Sequence, residues 1–207
     1  MIAEQIPSLT PLTPPKSEDD RSDWLRLLRS RRVGIATFFR LMATHGSAAD
    51  ALAALPGIAA DAGVRDYALC PEDRVLAELR AGQAAGARLL AFGEAEYPLA
   101  LLDLADPPPL LWVKGRLDLI ARPCIALVGA RNASSLGTRM ARALATDLGR
   151  QGCTVVSGLA RGIDTATHTA ALATGTIAVM AGGVDVVYPS ENAALAQQIG
   201  EQGLLLS

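Results

Sequence analysis

The sequence has few of the residues that build disulfide frameworks, metal sites or membrane spans. Its 207 residues include only three cysteines and two histidines, and no two cysteines form a CxxC pair. An odd number of widely spaced cysteines excludes a disulfide scaffold and favours a cytoplasmic protein. No His or Cys residues lie at metal-ligand spacing, so we expect no metal site. No apolar run approaches the roughly 18 residues of a membrane span, and no secretory signal opens the chain.

The chain also lacks an excess of either charge. It carries 19 Lys+Arg against 21 Asp+Glu, a net charge of -2. That balance excludes a polybasic protein that coats nucleic acid indiscriminately, although it allows a local anion site. A disordered chain is excluded as well, because 50% of the residues are hydrophobic and can bury enough surface to offset the entropy of folding.

The first part of the chain predicts a leader and a small helical domain. Residues 1–20 contain four prolines and end in an acidic run, which favours a flexible leader. Over residues 21–86 apolar residues recur at helical spacing in several short segments, and Pro56-Gly57 predicts a break between two of them. We therefore predict an all-helical domain over residues 21–86.

The rest of the chain, residues 87–207, alternates apolar segments with helical ones. The apolar segments predict strands at residues 88–92, 124–128, 153–157, 176–181 and 203–207. This alternation is typical of an α/β domain, and we predict a Rossmann-like, doubly wound and mainly parallel sheet. Because such a sheet needs about six strands, we expect residues 87–207 to be the front part of a longer domain.

One of the predicted helices runs from about Ser135 to Arg150. Between the second and third strands, Ser135–Arg150 has Met140, Leu144 and Leu148 on one face and arginines elsewhere. This spacing is typical of an amphipathic helix. Further helices are expected over residues 162–174 and 191–201.

The loop that follows the strand at residues 124–128 has the composition of an anion site. It begins at Gly129 and offers backbone N–H groups, the guanidinium of Arg131 and the hydroxyl of Ser134. Ligands of open parallel sheets bind at the carboxyl ends of the strands, where loops meet helix N-termini. A simpler interpretation is a tight turn followed by a helix cap at Ser134 or Ser135.

A second loop of similar character follows the next strand. After Ser157 come Gly158, Arg161 and Gly162, and the glycines would let a ligand approach the backbone closely. Glycine after a strand can also serve only a turn. An arginine in the bend of each loop favours a phosphate site, because a turn has no need of one.

The loops lack the signatures of the common cofactor sites. The first loop has no GxGxxG, and the strand at residues 153–157 ends in Ser157 rather than an acidic residue, which disfavours NAD. There is no GxxxxGK[ST], so no triphosphate site of that kind is expected either. We therefore predict that the protein binds no cofactor.

Two further features allow more than one interpretation. Asp164 and His168 stand four apart on one helix, which allows acid–base chemistry. More simply, Asp164 complements the helix N-terminus or holds Arg161, and His168 is a packing residue. Tyr188, in a third loop, could stack on a base or belong to the core.

The loop sequences resemble the DNA-processing protein A family, DprA, also called Smf. The resemblance rests on VGARNASSLG at residues 128–137, SGLARGID at 157–164 and GGVDVVYPSEN at 182–192. Residues 24–42 and 97–115 look like the same family. The last two loop motifs together are far more specific than a single glycine motif.

The resemblance implies a Rossmann-like fold preceded by a helical domain similar to sterile-alpha-motif (SAM) modules. It implies a protein that is not an enzyme, binds incoming single-stranded DNA in natural transformation and loads the RecA recombinase onto it. It also implies a homodimer. The residues expected to hold DNA phosphates are Gly129, Arg131, Ser134, Ser157, Gly158, Arg161 and Gly162.

An alternative function belongs to another class. Rossmann-like enzymes that hydrolyse or transfer a nucleotide monophosphate hold its phosphate at the same strand ends. Such an enzyme needs a catalytic carboxylate beside the loops, and Asp164 is the candidate for that role.

Overall fold

The computed structural model of the chain describes residues 12–207, and the beginning of the predicted leader lies outside the described residues. The chain divides into two compact units. One unit contains the residues up to Ala81 together with Leu90–Leu111, and the other contains Gly82–Leu89 together with Trp112–Ser207.

Four α-helices form the first part of the chain. They are α1 (Glu18–Arg29), α2 (Ile35–His45), α3 (Ala48–Asp61) and α4 (Glu72–Ala84). Helix α1 begins three residues earlier than the predicted helical region because Ser17 caps it. The Ser17 hydroxyl accepts from the Asp20 N–H at 3.0 Å, and the Asp20 carboxylate accepts from the Ser17 N–H at 3.1 Å.

The break predicted at Pro56-Gly57 is wrong, since both residues lie inside α3. A proline within a helix removes one backbone hydrogen bond and crowds the preceding turn, at a cost of about 3 kcal/mol. Helix α3 nevertheless continues because it buries Leu52, Leu55 and Ala59 along one face. Tertiary packing here outweighs local propensity.

The core of the first unit is a chain of aromatic rings. Trp24 meets Phe38 with ring centroids 5.2 Å apart, Phe38 meets Phe39 at 5.6 Å, and Phe39 meets Phe92 at 5.1 Å. Phe92 then meets Tyr97 at 5.5 Å. All four contacts are edge-to-face, the arrangement that ring quadrupoles favour. The few aromatic residues of the chain are thus concentrated where they stabilise the helical unit.

The described strands form one six-stranded sheet in the order β1-β2-β6-β5-β4-β3. They are β1 (Arg88–Ala91), β2 (Leu110–Gly115), β3 (Cys124–Ala126), β4 (Thr154–Ser157), β5 (Thr176–Val179) and β6 (Leu204–Leu206). Strands β3 to β6 pair in parallel, whereas β2 pairs with β6 antiparallel. The predicted α/β fold, with a helical region followed by a mainly parallel sheet, is confirmed.

Helices connect the parallel strands one after another. Helix α5 (Ser135–Arg150) joins β3 to β4, α6 (Ile163–Ala171) joins β4 to β5, and α7 (Ala193–Gln202) joins β5 to β6. Helix α5 has the bounds that its sequence predicts. The parallel strands are one to two residues shorter than expected: β3 and β5 end two residues earlier, β4 begins one residue later, and β6 is one residue shorter at each end.

The buried face of α5 differs from its apolar face. Met140 and Leu144 are 57% and 50% exposed, while the residues that pack inward are Ala141, Ala145 and Gly149. Small side chains let α5 approach its neighbours closely: a Cβ on Gly149 would collide with the Thr174 side chain. Leu148 packs against the core, so large apolar residues were a misleading guide to the buried face only at Met140 and Leu144.

Strand β3 is less covered than its apolar sequence predicts. Its three residues are exposed, including Cys124, because β3 is an edge strand of the described sheet. In contrast, Val155 of β4 and Ala178 of β5 are fully buried, as expected for inner strands of a parallel sheet.

His168 of α6 is a packing residue that ties three elements together. It is fully buried, and its Nδ1 lies 2.7 Å from the Thr176 hydroxyl, which in turn donates to the Val155 carbonyl at 2.9 Å. Because that hydroxyl has one proton to donate, Nδ1 must donate to it, which assigns the proton to Nδ1. Burial lowers the pKa of His168 to about 4, although the Asp164 carboxylate opposes this shift.

The depressed pKa predicts an acid-sensitive fold. The unfolded chain protonates this histidine below about pH 6.5 while the folded state resists until about pH 4, so the free energy of unfolding should fall as pH decreases across that window. The difference between the pKa values of His168 in the unfolded and folded states corresponds to roughly 3 kcal/mol of free energy of unfolding. Urea unfolding of His168→Gln should show a lower stability at neutral pH but a shallower decline between pH 6.5 and 4.

The matched control is His45→Gln, which removes the other histidine and should keep the decline of the parent protein. An equally steep decline in His168→Gln would contradict the assignment of the acid sensitivity to His168.

Candidate functional site

Three loops at the carboxyl edge of the sheet surround one cavity. Loop 1 (residues 127–134) follows β3, loop 2 (158–162) follows β4, and loop 3 (180–189) follows β5. Parallel strands end at the same edge, which brings these loops together although they are about 30 residues apart in sequence. The cavity has a volume of about 650 Å³ and is lined by residues of all three loops.

Asp164 fixes the backbone of loop 2 through hydrogen bonds. It lies in the first turn of α6, is buried, and its Oδ2 accepts from the backbone N–H groups of Gly158 and Ala160, both at 3.2 Å. A carboxylate that receives two backbone donors at a helix N-terminus is well placed electrostatically. The prediction that Asp164 complements the helix N-terminus is confirmed, whereas it does not hold Arg161.

Asn192 secures the carbonyl groups of the same loop. Its Nδ2 donates to the Leu159 carbonyl at 2.8 Å and to the Ala160 carbonyl at 3.3 Å. The Thr165 hydroxyl donates to the Ala160 carbonyl at 2.7 Å. These contacts stabilise Leu159 in a left-handed conformation, with φ +61°, that a leucine rarely adopts. Loop 2 is therefore rigidly shaped by side chains on both sides of it.

Two of the predicted site glycines serve the contact between loops 1 and 2. A Cβ on Gly129 would lie 2.7 Å from Ile163, and a Cβ on Gly162 would collide with the backbone of Ala130 and Arg131. Gly162 also has φ +78°, which disfavours any other residue. The backbones touch directly, because the Ile163 N–H donates to the Ala130 carbonyl at 3.3 Å.

The two arginines of the loops differ in their surroundings. Arg131 is exposed, lines the cavity and has no hydrogen-bond or ion-pair partner among residues 12–207. Arg161 also lines the cavity, but its Nη2 lies 2.9 Å from Oε1 of Glu191. The sequence did not reveal the ion pair of Arg161, because Glu191 is 30 residues away along the chain.

The two predicted serines make contacts within the protein. The Ser157 hydroxyl is buried and donates to the Leu127 carbonyl at 2.7 Å, which joins the ends of β4 and β3. Ser134 is the N-cap of α5, where its hydroxyl accepts from the Gly137 N–H at 3.1 Å. Gly158 lines the cavity, and its N–H donates to the Asp164 carboxylate at 3.2 Å.

The geometry bears on the enzymatic alternative through Asp164. Its Oδ2 is engaged by the two N–H groups of loop 2 and the residue is buried, so it performs a structural task.

Within the described part of the chain, no group of three His, Cys, Asp or Glu residues could hold a metal ion. None of the helices of residues 12–207 combines the length and apolar character of a membrane span.

Sequence reasoning missed Asn192 and Glu191 as functional neighbours of loop 2. Asn192 is buried and lies at the start of α7, 30 residues from the loop that it holds. A buried asparagine among polar residues gives no periodic pattern that would mark it in advance. Their position in the motif at residues 182–192 was the only available signal.

Comparisons with known proteins agree with the loop motifs. Residues 88–207 match the family model described as DNA recombination-mediator protein A, and residues 18–81 match the DprA-like N-terminal HHH domain. DNA processing protein DprA of Streptococcus pneumoniae is 45% identical over 113 residues, 54% of this chain and 40% of that protein. The Bacillus subtilis protein of the same name is 38% identical over 137 residues, 65% of this chain and 45% of its own.

Solved structures show the same similarity. The X-ray structure of DprA from Streptococcus pneumoniae superposes with a TM-score of 0.59 and 37% identity, covering 66% of this chain and 47% of that one. A structure of DNA processing protein A from Helicobacter pylori, described for its single-stranded DNA binding mode, gives 0.54 and 31%, covering 58% and 54%. The chain spans less than half the length of the two DprA relatives it matches. The family model nevertheless covers more than half of this sequence, and the chain belongs to the DNA recombination-mediator protein A family, DprA/Smf.

Proposed function

We propose that the protein binds single-stranded DNA through backbone phosphates at the cavity between loops 1, 2 and 3. The observation that carries this proposal is Arg131, a guanidinium that lines the cavity without a partner among the described residues. Arginine offers a planar fork of donors that matches phosphate oxygens. The related Helicobacter pylori protein, whose structure is described for its single-stranded DNA binding mode, supports the choice of ligand.

The backbone of loop 2 adds donors beside Arg131. The N–H groups of Arg161 and Gly162 have no acceptor among residues 12–207, and they lie at the N-terminus of α6. The partial positive charge of a helix N-terminus favours an anion at this point. Gly129, Ser134, Ser157 and Gly158 stay predicted members of the site. Their contacts support its shape, since they fix how the loops meet.

Removal of the unpaired guanidinium should weaken binding. Arg131→Ala should lower the affinity for single strands of every sequence by about tenfold, because phosphates carry no base information. The dependence of log K on log salt should become less steep by about 0.7 per lost phosphate contact. Fluorescence anisotropy of labelled oligonucleotides across a salt series measures both quantities.

The matched control is Arg150→Ala, at the opposite end of α5, where Arg150 pairs with Asp147 at 3.6 Å. It removes the same net charge but should change neither affinity nor slope appreciably. If Arg131→Ala and Arg150→Ala weaken binding equally, the phosphates are not held at this cavity.

The ion pair of Arg161 predicts a gain of affinity. Glu191 competes with a phosphate for the same guanidinium, and the pair is more than half exposed, so its contribution is at most about 1 kcal/mol. Glu191→Gln should therefore tighten binding up to about fivefold. The effect should disappear when Arg161→Ala is also present, which a double-mutant cycle measures.

Glu201→Gln removes a carboxylate at the far end of α7 and controls for net charge alone. An equal gain from Glu201→Gln, or a gain that persists without Arg161, would show that Glu191 acts through the overall field rather than through this pair.

We further propose that the complete protein acts in the cytoplasm as a homodimer that protects incoming strands in natural transformation and loads RecA recombinase. Membership of the family supports this proposal. RecA filaments should form faster on single strands in the presence of the intact protein, and Arg131→Ala should remove most of the gain. Filament growth followed by light scattering tests it, and unchanged growth with the intact protein would contradict it.

A further inference from the structure

The peptide group between Ala160 and Arg161 in loop 2 is held by side chains of two helices. The Ala160 carbonyl accepts from the Thr165 hydroxyl at 2.7 Å, from the Thr165 N–H at 3.2 Å and from Nδ2 of Asn192 at 3.3 Å. Nδ2 of Asn192 also lies 3.0 Å from the Thr165 hydroxyl, which joins the two side chains to each other. A carbonyl oxygen has two lone pairs, so the three donors leave this one no free direction.

A fixed carbonyl also fixes the N–H group of the same peptide. The peptide is planar and trans, so the Ala160 carbonyl and the Arg161 N–H point in opposite directions. Because the carbonyl is bonded to Thr165 and Asn192, the Arg161 N–H is directed away from both of them. That N–H has no acceptor among residues 12–207. The two side chains thus determine the direction of a free backbone donor.

Asn192 fixes the preceding peptide of loop 2 in the same way. Its Nδ2 donates to the Leu159 carbonyl at 2.8 Å, and the Ala160 N–H of that peptide donates to Oδ2 of Asp164 at 3.2 Å. Leu159 has φ +61°, a conformation that persists in a leucine only where the surroundings over-determine the backbone. Without Asn192 the loop would lose a contact that selects this conformation, and the next peptide would be freer to rotate.

We propose that Asn192 and Thr165 are positioning residues, which hold the 160–161 peptide so that the Arg161 N–H meets a DNA phosphate; the inference rests on the proposed binding of single-stranded DNA. A donor that is oriented before the ligand arrives loses less entropy on binding. A rotated peptide would present the Ala160 carbonyl instead, and the partial negative charge of its oxygen would repel a phosphate.

The experiment removes the hold on the peptide and leaves every charge in place. Thr165→Val keeps the shape of the side chain without its hydroxyl, and Asn192→Ala removes the amide. Each should bind labelled oligothymidylate about tenfold more weakly in fluorescence anisotropy, because a hydrogen bond to a charged acceptor is lost. Thr165→Ser retains the hydroxyl and should bind like the parent protein.

Two further measurements distinguish a positioned N–H from general damage to the loop. The slope of log K against log salt should stay that of the parent, since a backbone N–H carries no charge and releases no counterion. In ¹H–¹⁵N spectra, oligothymidylate should shift the Arg161 amide resonance strongly in the parent and in Thr165→Ser, but only weakly in Thr165→Val and Asn192→Ala.

The matched control is Thr169→Val, the same substitution one turn further along α6. The Thr169 hydroxyl donates to the Thr165 carbonyl at 2.7 Å, a bond within the helix. This variant should keep the affinity of the parent and the shift of the Arg161 resonance. Equal losses in Thr169→Val and Thr165→Val would show that binding responds to the stability of α6 and would overturn the inference.

The remaining outcomes are equally decisive. If the parent binds and both Thr165→Val and Asn192→Ala bind like it, the inference is wrong and the proposed function stands. Weaker binding with a flatter salt slope would mean that an arginine side chain has moved, which also overturns the inference. If the parent does not bind the oligonucleotide, the proposed function fails and the inference with it. Circular dichroism detects a lost fold; if Asn192→Ala unfolds, the two Thr165 variants decide.

Discussion

The direct contact between the backbones of loops 1 and 2 is the constraint on which the site depends. Gly162 allows it, because any Cβ at that position would collide with the backbone of Ala130 and Arg131. Asp164 then accepts hydrogen bonds from backbone N–H groups of loop 2, and Asn192 donates one to a backbone carbonyl of the same loop. A loop with several backbone groups bonded to side chains is pre-organised, so less ordering entropy is lost when a ligand binds. The arginines are held in place by this frame.

The positions of single charged residues matter more in this protein than its net charge. With 19 basic and 21 acidic residues, the chain has no general attraction for a polyanion. Arg131 nevertheless lines a cavity and has no partner among residues 12–207, while Arg161 is partly neutralised by Glu191. A local field of this kind favours an anion at one place even in a chain without net positive charge.

The regular elements were predictable to different degrees. The bounds of α5 followed from its caps and spacing, and the parallel strands followed from apolar runs between helices. The buried face of α5 could not be predicted in the same way. The helix packs inward closely through the small residues Ala141 and Ala145, whereas the larger Met140 and Leu144 are exposed. The continuation of α3 through Pro56 likewise depended on burial that no local pattern expresses.

The sequence by itself determined the fold class, the family and the two loops, since these follow from local periodicity and from motifs of adjacent residues. It also placed one arginine in each loop. Only the tertiary structure decided that Arg131 has no partner among residues 12–207, that Arg161 meets Glu191, and that Ser157 turns inward to the Leu127 carbonyl. The last two contacts each join residues 30 positions apart. Their distances are set by the parallel pairing of strands β3, β4 and β5, which brings the strand ends to one edge of the sheet.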